Sequence, residues 1–238
     1  LMLYARMLVL MLIGFYTSRV ILQVLGVEDY GINNVVAGFL SMFGIITSSM
    51  SNAISRYITV ELGKGDLARL RQVFSTSFTV QLVMGVLILI LVETFGFWFV
   101  GTKMQIPLGR EVAAEWCLHC AALSTFISLI NVPFSSAIIA HEKMSAFAYI
   151  SIIEVTLKLI IVYLLTISPF DRLITYSFLF MMIGVLIRII YGYYCKKHFE
   201  ECTYHFVYDK GILKSMTSLA GWNFLGNGAF LLNTQGVN

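Results

Sequence analysis

The sequence predicts an all-α polytopic membrane protein, and its composition and its apolar stretches both lead to this class. Of its 238 residues, 58% are hydrophobic and 12% are charged, with a mean hydropathy of +0.84. Soluble domains carry about 25% charged residues, so the composition excludes a water-soluble globular class. A helical membrane span needs about 20 mainly apolar residues. The sequence contains six such stretches in succession, followed by the beginning of another.

These stretches give the predicted elements in order. We place the six spans at 1–24, 32–54, 74–99, 113–140, 146–167 and 173–195. Residues 1–195 then form a six-helix transmembrane lobe, 196–212 a cytoplasmic loop, and 213–238 the start of a seventh helix. Because the last segment ends while it still has a helical pattern, we expect this chain to be part of a longer protein.

A turn separates the first two spans. The first apolar run begins at Leu1 and is interrupted at 25–31, where two glycines and two acidic residues occur together. The second span is rich in small and hydroxyl-bearing residues between Gly38 and Ser55. Such residues let membrane helices pack closely or line a polar path.

Helix signals mark the start of the third span and the interior of the fourth. Asp66 is a good N-cap candidate, and the apolar stripe of Leu67, Leu70 and Phe74 follows it. We therefore predict a short helix lying on the inner membrane face before the third span. Pro133, inside the fourth span, lacks an N–H group and should kink or break that helix.

The positions of the basic residues predict the orientation. Cytoplasmic loops carry an excess of Lys and Arg. One set of alternate loops holds Arg56, Lys64, Arg69, Arg71, Lys143, Lys196, Lys197, Lys210 and Lys214; the other holds Lys103, Arg110 and Arg172. We therefore place the N-terminus and the loops 55–73, 141–145 and 196–214 in the cytoplasm. The loops around Glu28 and Asp29, at 100–112 and at 168–172 then lie outside.

Arg19 is the most informative charge inside a predicted span. Burying a guanidinium costs at least about 2.5–3.5 kcal/mol on insertion scales, and such residues mark functional sites. Arg19 therefore faces a protein interior or a watery cavity, or else it extends to the headgroups near the end of its span. Arg188, toward the inner end of the sixth span, has the same two interpretations, and Glu93 is expected at the outer interface.

Glu154 and Lys158 form a predicted pair. Their i,i+4 spacing places both on one helical face in the fifth span. The pair is either self-neutralising between helices or an ion-responsive site, which makes Glu154 a coupling candidate and Lys158 an anion-binding candidate.

The balance of intramembrane charge favours an anionic substrate. Cations outnumber acids at the deeper positions, and the first two spans contain no acidic residue. Arginine pairs readily with phosphate in bidentate geometry. The run Cys117-Leu118-His119-Cys120 lacks the second ligand pair of a zinc site, so we predict no metal and no cofactor.

Short motifs occur in order along the whole chain. They are Tyr4-Ala5-Arg6-Met7, Tyr16-Thr17-Ser18-Arg19, Leu25-Gly26-Val27-Glu28-Asp29-Tyr30-Gly31-Ile32, Ala53-Ile54-Ser55-Arg56-Tyr57, Trp222-Asn223-Phe224-Leu225-Gly226 and Thr234-Gln235-Gly236-Val237-Asn238. Together they resemble the N-terminal portion of the bacterial polysaccharide biosynthesis flippases, the O-antigen-type transporters of lipid-linked oligosaccharides in the MATE-like flippase superfamily.

The resemblance implies a fold and a function. Members have two pseudo-symmetric six-helix lobes around a central cavity, as repeat-based transporters do. The implied substrate is an undecaprenyl-pyrophosphate-linked oligosaccharide, moved across the bacterial inner membrane by alternating access. Expected partners are the lipid bilayer and a polysaccharide polymerase or glycosyltransferase, with no nucleic acid. Arg19 and Arg56 are cavity or gate candidates from these motifs, whereas Lys158 and Arg188 are candidates from burial alone.

Three alternatives stay open. A cation-coupled drug or metabolite exporter of the same superfamily would be expected to carry an acid deep in its first helices, which this sequence lacks. A membrane glycosyltransferase or ligase of the same pathway would need catalytic residues in a large outer loop, so we expect no enzyme. A scaffold protein that transports nothing fits the intramembrane charges less well.

Overall fold

Every regular element in the described part of the chain is a helix. The computed structural model describes residues 2–102, 104, 106–107, 109–167, 169–203, 211, 213–214, 218–219, 221–223 and 226, with side chains from Arg6 onward. The helices are α1 (Met2–Ser41), α2 (Gly44–Lys64), α3 (Leu67–Leu91), α4 (Phe97–Thr102), α5 (Glu111–Ala140), α6 (Met144–Ile167) and α7 (Arg172–His198), and a π-helical turn at Val92–Gly96 joins α3 to α4. The predicted all-α class is confirmed.

Five helical stretches of the described residues are long and apolar enough to cross a membrane. They are Arg6–Ser41, Leu67–Thr102, Glu111–Ala140, Met144–Ile167 and Arg172–His198. The last four contain the predicted third to sixth spans, and all four begin earlier than predicted, whereas the fourth and fifth spans end at the predicted residues 140 and 167. The first stretch contains residues 6–24 of the predicted first span and 32–41 of the second.

Gly26 divides α1 into two helices. Forty helical residues would measure about 60 Å, twice the roughly 30 Å thickness of a bilayer core. At Gly26 the backbone has φ 81° and ψ 172°, a conformation that L-residues with side chains essentially do not adopt. The segments 2–25 and 27–41 are therefore separate helices, which confirms the predicted turn after the first span.

The predicted second span is shared between α1 and α2. A turn at Met42 and Phe43 interrupts it, and α2 then continues to Lys64, ten residues beyond the predicted end at 54. Because α2 is rich in serine and threonine, it is not among the five stretches that are apolar enough to cross a membrane. The helix ends at Gly65, whose φ of 75° is left-handed and whose N–H donates to the Leu62 carbonyl at 3.1 Å.

The start of α3 corrects one prediction. The backbone N–H of Arg69 donates to Asp66 Oδ1 at 3.0 Å, so the predicted N-cap is confirmed. However, α3 runs without interruption from Leu67 to Leu91. The separate helix predicted on the membrane face is wrong, because Leu70 and Phe74 are buried as the first turns of the third span itself.

The helix α5 continues through Pro133 to Ala140, so the proline does not break it, and the predicted kink stays a prediction. A π-helical turn that was not predicted lies at Val92–Gly96.

The chain groups into two compact units. Unit 1 contains Leu1–Leu40, Val86–Ser128 and Met144–Ile190, and unit 2 contains Ser41–Gly85, Leu129–Lys143 and Tyr191–Asn238. Within unit 2 the ring of Phe134 meets those of Phe74 and Phe78 edge to face, with centroids 5.2 and 6.0 Å apart. These contacts pack α5 against α3.

The described residues of the predicted seventh helix also belong to unit 2. Those between 211 and 226 are helical. Leu213 and Leu219 pack against a buried cluster of Met50, Ala53 and Val80. The rest of the 213–238 segment, including Phe224, Leu225 and the motif at 234–238, lies outside the described residues, as do 204–210 and Lys103.

Unit 2 brings together the three loops that the basic residues place in the cytoplasm. Arg71 at the start of α3 lies 3.7 Å from Glu200, which follows α7. The neighbouring Glu201 is buried and hydrogen-bonds His141, in the turn between α5 and α6. The contacts agree with the prediction that these three loops share one side of the membrane.

Unit 1 brings together the three loops predicted on the opposite side. Arg110, just before α5, binds Asp29 after the Gly26 turn and Asp171 before α7. Asp171 also accepts the backbone N–H of Leu173 at 3.0 Å and so caps α7. Arg172 donates to the Val24 carbonyl at 2.9 Å, an oxygen that the helix break leaves without its usual partner.

Candidate functional site

The predicted site residues fall in both units. Arg19 on α1, Glu154 and Lys158 on α6, and Arg188 on α7 belong to unit 1. Arg56 on α2 belongs to unit 2 and is exposed there. Arg188 is partly buried. Four of the five candidates therefore lie in unit 1, and their positions can be compared there.

Glu154 and Lys158 form the predicted ion pair. Lys158 Nζ donates to Glu154 Oε1 at 2.6 Å, and both side chains are about one-third exposed, at 31% for Lys158 and 36% for Glu154. The same Nζ lies 5.0 Å from the centroid of the Phe180 ring on α7, which adds a cation–π contact. The ammonium is thus neutralised by its own helix and still reachable from outside the unit.

Arg19 is exposed on the first helical segment of α1. Among the described residues it has neither an ion pair nor a hydrogen bond with another side chain. One turn earlier, the hydroxyl of Tyr16 lies 2.7 Å from that of Tyr163 on α6, so these two hydroxyls satisfy each other. Arg19 is thus an exposed charge on this part of the helix.

The first segment of α1 also contacts α6 nearer its beginning. The Arg6 guanidinium carbon lies 4.5 Å from the centroid of the Phe147 ring. This contact and the Tyr16–Tyr163 hydrogen bond both join the first segment of α1 to α6. Arg19 follows Tyr16 by one turn, on the side of the tyrosine pair away from Arg6. The stretch Arg6–Ser41 that contains this segment is the least buried of the five apolar stretches, with 11% of its window buried.

Two charged clusters were not predicted. Glu93 Oε2 lies 2.6 Å from Nδ1 of His119 on α5, a contact that the sequence did not predict, and the expected place of Glu93 at the outer interface stays a prediction. The second cluster is the Asp29–Arg110–Asp171 network. Local spacing carries no signal for either, because the partners are at least 26 residues apart in sequence.

The sequence profile of the MatE family matches residues 3–164 of this chain. No curated protein matches it by sequence. Three solved structures are similar over 96% of the chain, each with a TM-score of 0.72. One is a multidrug resistance MATE transporter of the MOP superfamily in an outward-facing conformation, 18% identical, and another is MATE in complex with MaD3S, 19% identical.

The third similar structure is that of a transporter with a binding pocket of reverse polarity. It is a MOP superfamily transporter from Pyrococcus furiosus Vc1 (DSM3638), 18% identical, for which reverse polarity of the binding pocket suggests a different function. The chain covers 52%, 52% and 53% of these three proteins, so it spans about half their length. Its fold is accordingly that of one half of a MATE transporter. Since the family profile covers well over half of the sequence, this chain belongs to the MatE family.

Proposed function

We propose that this chain forms one half of a transporter that moves an undecaprenyl-pyrophosphate-linked oligosaccharide across the bacterial inner membrane by alternating access. The observation that carries the proposal is the exposed guanidinium of Arg19, which lies in an apolar helix and has no ion pair within the described part of the chain. An arginine cannot lose its proton to lower the cost of its position, so it needs water or an anion. A pyrophosphate supplies several oxygens in the geometry that a guanidinium binds.

The Glu154–Lys158 pair supports an anionic substrate in a second way. With its partner 2.6 Å away, Lys158 contributes no net charge while the site is empty of substrate. An incoming phosphate oxygen would compete with Glu154 for the ammonium, which remains about one-third exposed. When a phosphate oxygen replaces Glu154 as the acceptor, the Lys158 ammonium keeps a negatively charged partner. It is therefore not left as an uncompensated charge within the membrane.

Two of the candidate arginines lie in the motifs that resemble polysaccharide flippases, which also supports the proposal. Arg19 and Arg56 both lie in these motifs, and both are exposed. For the similar transporter from P. furiosus, reverse polarity of the binding pocket suggests a different function. Pocket polarity therefore differs between transporters of this fold, which leaves room for an anionic substrate.

The test uses the full-length protein reconstituted in proteoliposomes with a fluorescent undecaprenyl-pyrophosphate oligosaccharide. We expect Arg19→Gln to lower the initial flipping rate about 10–100-fold, the loss of one charge-assisted hydrogen-bond set. Arg19→Lys should keep part of the rate. Lys143→Gln, which removes an exposed cation from the turn between α5 and α6, is the matched control and should leave the rate unchanged. Wild-type flipping by Arg19→Gln at equal protein level would reject the proposal.

A second candidate is a cation-coupled exporter, which the similarity to a multidrug resistance MATE transporter favours. In this case the Glu154 carboxylate would bind the coupling ion in place of the Lys158 ammonium. Lys158 would pair with the carboxylate again when the ion leaves. The same proteoliposomes loaded with a cationic dye discriminate the two functions. Dye transport driven by an ion gradient, lost in Glu154→Gln and kept in Arg19→Gln, would favour the exporter.

A further inference from the structure

Glu93 and His119 form an acid–base pair on an apolar surface of unit 1. Glu93 Oε2 and His119 Nδ1 are 2.6 Å apart, and both side chains are partly exposed. Exposed large apolar or aromatic side chains lie near them in sequence, among them Ile90, Phe95, Trp98 and Trp116. Tryptophan is enriched at membrane–water interfaces. The pair therefore lies among apolar and aromatic side chains, while both of its members stay partly exposed.

The backbone around the pair is held by close packing. Glu93 is in the π-helical turn Val92–Gly96, and turns of this type occur frequently at functional sites. A Cβ placed on Gly96 would lie 3.0 Å from Cδ1 of Leu118, the residue next to His119. The absence of a side chain at Gly96 thus lets the turn approach α5, and this approach sets the distance between Glu93 and His119.

The number of protons on the pair decides its net charge. One shared proton leaves the pair neutral, loss of that proton leaves one negative charge, and a second proton leaves one positive charge. A net charge is costly in apolar surroundings, whereas a hydrogen-bonded neutral pair is tolerated. A conformation that closes this surface off from water therefore favours the state with one proton, and a conformation that wets it tolerates proton loss or gain.

The other ionisable groups around the pair in the described part of unit 1 are few. Glu115, one turn before His119 on α5, is partly buried, and Glu111, two turns before it, is exposed. Cys117 and Cys120 on α5 and Tyr176 on α7 are buried. From α1, Oδ1 of the neutral Asn33 lies 3.9 Å from the Cys117 sulfur, and the apolar Val35, Val36 and Phe39 face Leu118. The segment Phe97–Thr102 contains no ionisable side chain.

We propose that Glu93 and His119 constitute a proton-binding site through which pH biases the conformation of this half of the transporter. Imidazole is the side chain that ordinarily changes charge between pH 5 and 8. Its acid partner lies on a different helical segment, so a change in protonation alters an attraction between α5 and the π-helical turn. The physiological meaning rests on the proposed transport function, but proton binding itself is measurable without transport.

The direct test uses the indole of Trp116 as a reporter. Its ring meets the His119 ring edge to face, with centroids 6.5 Å apart, and a protonated imidazole quenches an adjacent indole. The Trp116 emission of the purified full-length protein, taken as the difference from Trp116→Phe, should show one reversible transition as the pH is varied. His119→Gln should abolish the transition, and Glu93→Gln should move its midpoint, because it removes the acid that the imidazole contacts. The matched control Glu115→Gln should leave it in place.

A second measurement separates the site from the transport proposal. In proteoliposomes, His119→Gln should flatten the dependence of the flipping rate on pH, whereas Arg19→Gln should lower the rate at every pH. A missing transition, or one that persists unchanged in His119→Gln, would overturn the proton site. An intact transition with an unaltered pH profile in His119→Gln would overturn its coupling to transport. An intact transition in a protein that flips no lipid-linked oligosaccharide would overturn the proposed function alone.

Discussion

Arg110 binds the buried carboxylate of Asp29 through a hydrogen bond of 2.8 Å between Nη2 and Oδ2. The other guanidinium nitrogen binds Asp171, so one arginine joins the turn after Gly26, the start of α5 and the start of α7. Asp29 belongs to the Leu25–Ile32 motif that resembles polysaccharide flippases. In this structure that residue has a structural role, because its carboxylate is the anchor of the turn between the first two helices.

Removal of Arg110 should destabilise unit 1 more than removal of Asp171. Arg110→Ala leaves the Asp29 carboxylate buried and unpaired, which costs about 3–5 kcal/mol for a fully buried pair and less here because Arg110 is partly exposed. Asp171→Asn keeps the Asp29 bond and retains an acceptor for the α7 cap. Thermal unfolding of the purified protein in detergent should give a clear loss for Arg110→Ala and a smaller one for Asp171→Asn. Equal losses would show that Asp29 does not depend on Arg110.

Gly26 should tolerate no side chain. Its φ of 81° and ψ of 172° make Gly26→Ala strained by about 1–3 kcal/mol, although no atom lies within 4 Å of the Cβ position. Gly14 is the matched control, since it lies in the helical interior of the same element with equally open space. Gly14→Ala should be neutral or stabilising by up to about 1 kcal/mol. Unfolding temperatures that fall equally in both variants would contradict a backbone cause.

The Glu154–Lys158 pair offers a double-mutant comparison of transport. If the pair is only structural, Lys158→Met should reduce flipping more than the double change Glu154→Gln with Lys158→Met, because the single change leaves an unpaired carboxylate about one-third exposed. Equal loss in the single and double variants would indicate that Lys158 acts on the substrate. The initial flipping rate at matched protein level is the measurement, with Lys143→Gln as the unaffected control.

The periodic and compositional features of the fold were predictable, and the contacts between distant segments were not. Long apolar runs predict membrane helices because the bilayer requires every backbone group to be satisfied internally. The pair Glu154 and Lys158 was predictable because one helix fixes its spacing. The contacts of Glu93 with His119 and of Arg110 with Asp29 join residues 26 and 81 positions apart, and only the packing of helices determines them.

One local error has a clear physical cause. The amphipathic start of α3 was interpreted as a helix on the membrane face, but Leu70 and Phe74 are buried within the bundle. There tertiary packing outweighs a local signal. Pro133 does not break α5, which continues through it to Ala140, and the predicted kink stays a prediction. The candidate site is known at the level of residue position, and the roles of Arg19, Arg56, Lys158 and Arg188 stay predictions.

Labelling with a membrane-impermeant maleimide would test the predicted orientation with little background. Cys117, Cys120, Cys195 and Cys202 are free and buried. A hydrogen bond with Cys195, and then burial, raise the pKa of the Cys202 thiol above its usual range. Since the thiolate is the reactive form, alkylation of Cys202 should be slow at pH 7 and should become faster only as the pH rises.

On this background, single cysteines introduced at exposed positions should report the side of the membrane. Lys143→Cys lies in a loop that the positive-inside pattern places in the cytoplasm, and Glu111→Cys lies in one placed outside. In intact spheroplasts the reagent should label Glu111→Cys, and it should reach Lys143→Cys only after the membrane is opened. The reverse order would invert the orientation, and the Asp29–Arg110–Asp171 network would then lie on the cytoplasmic face.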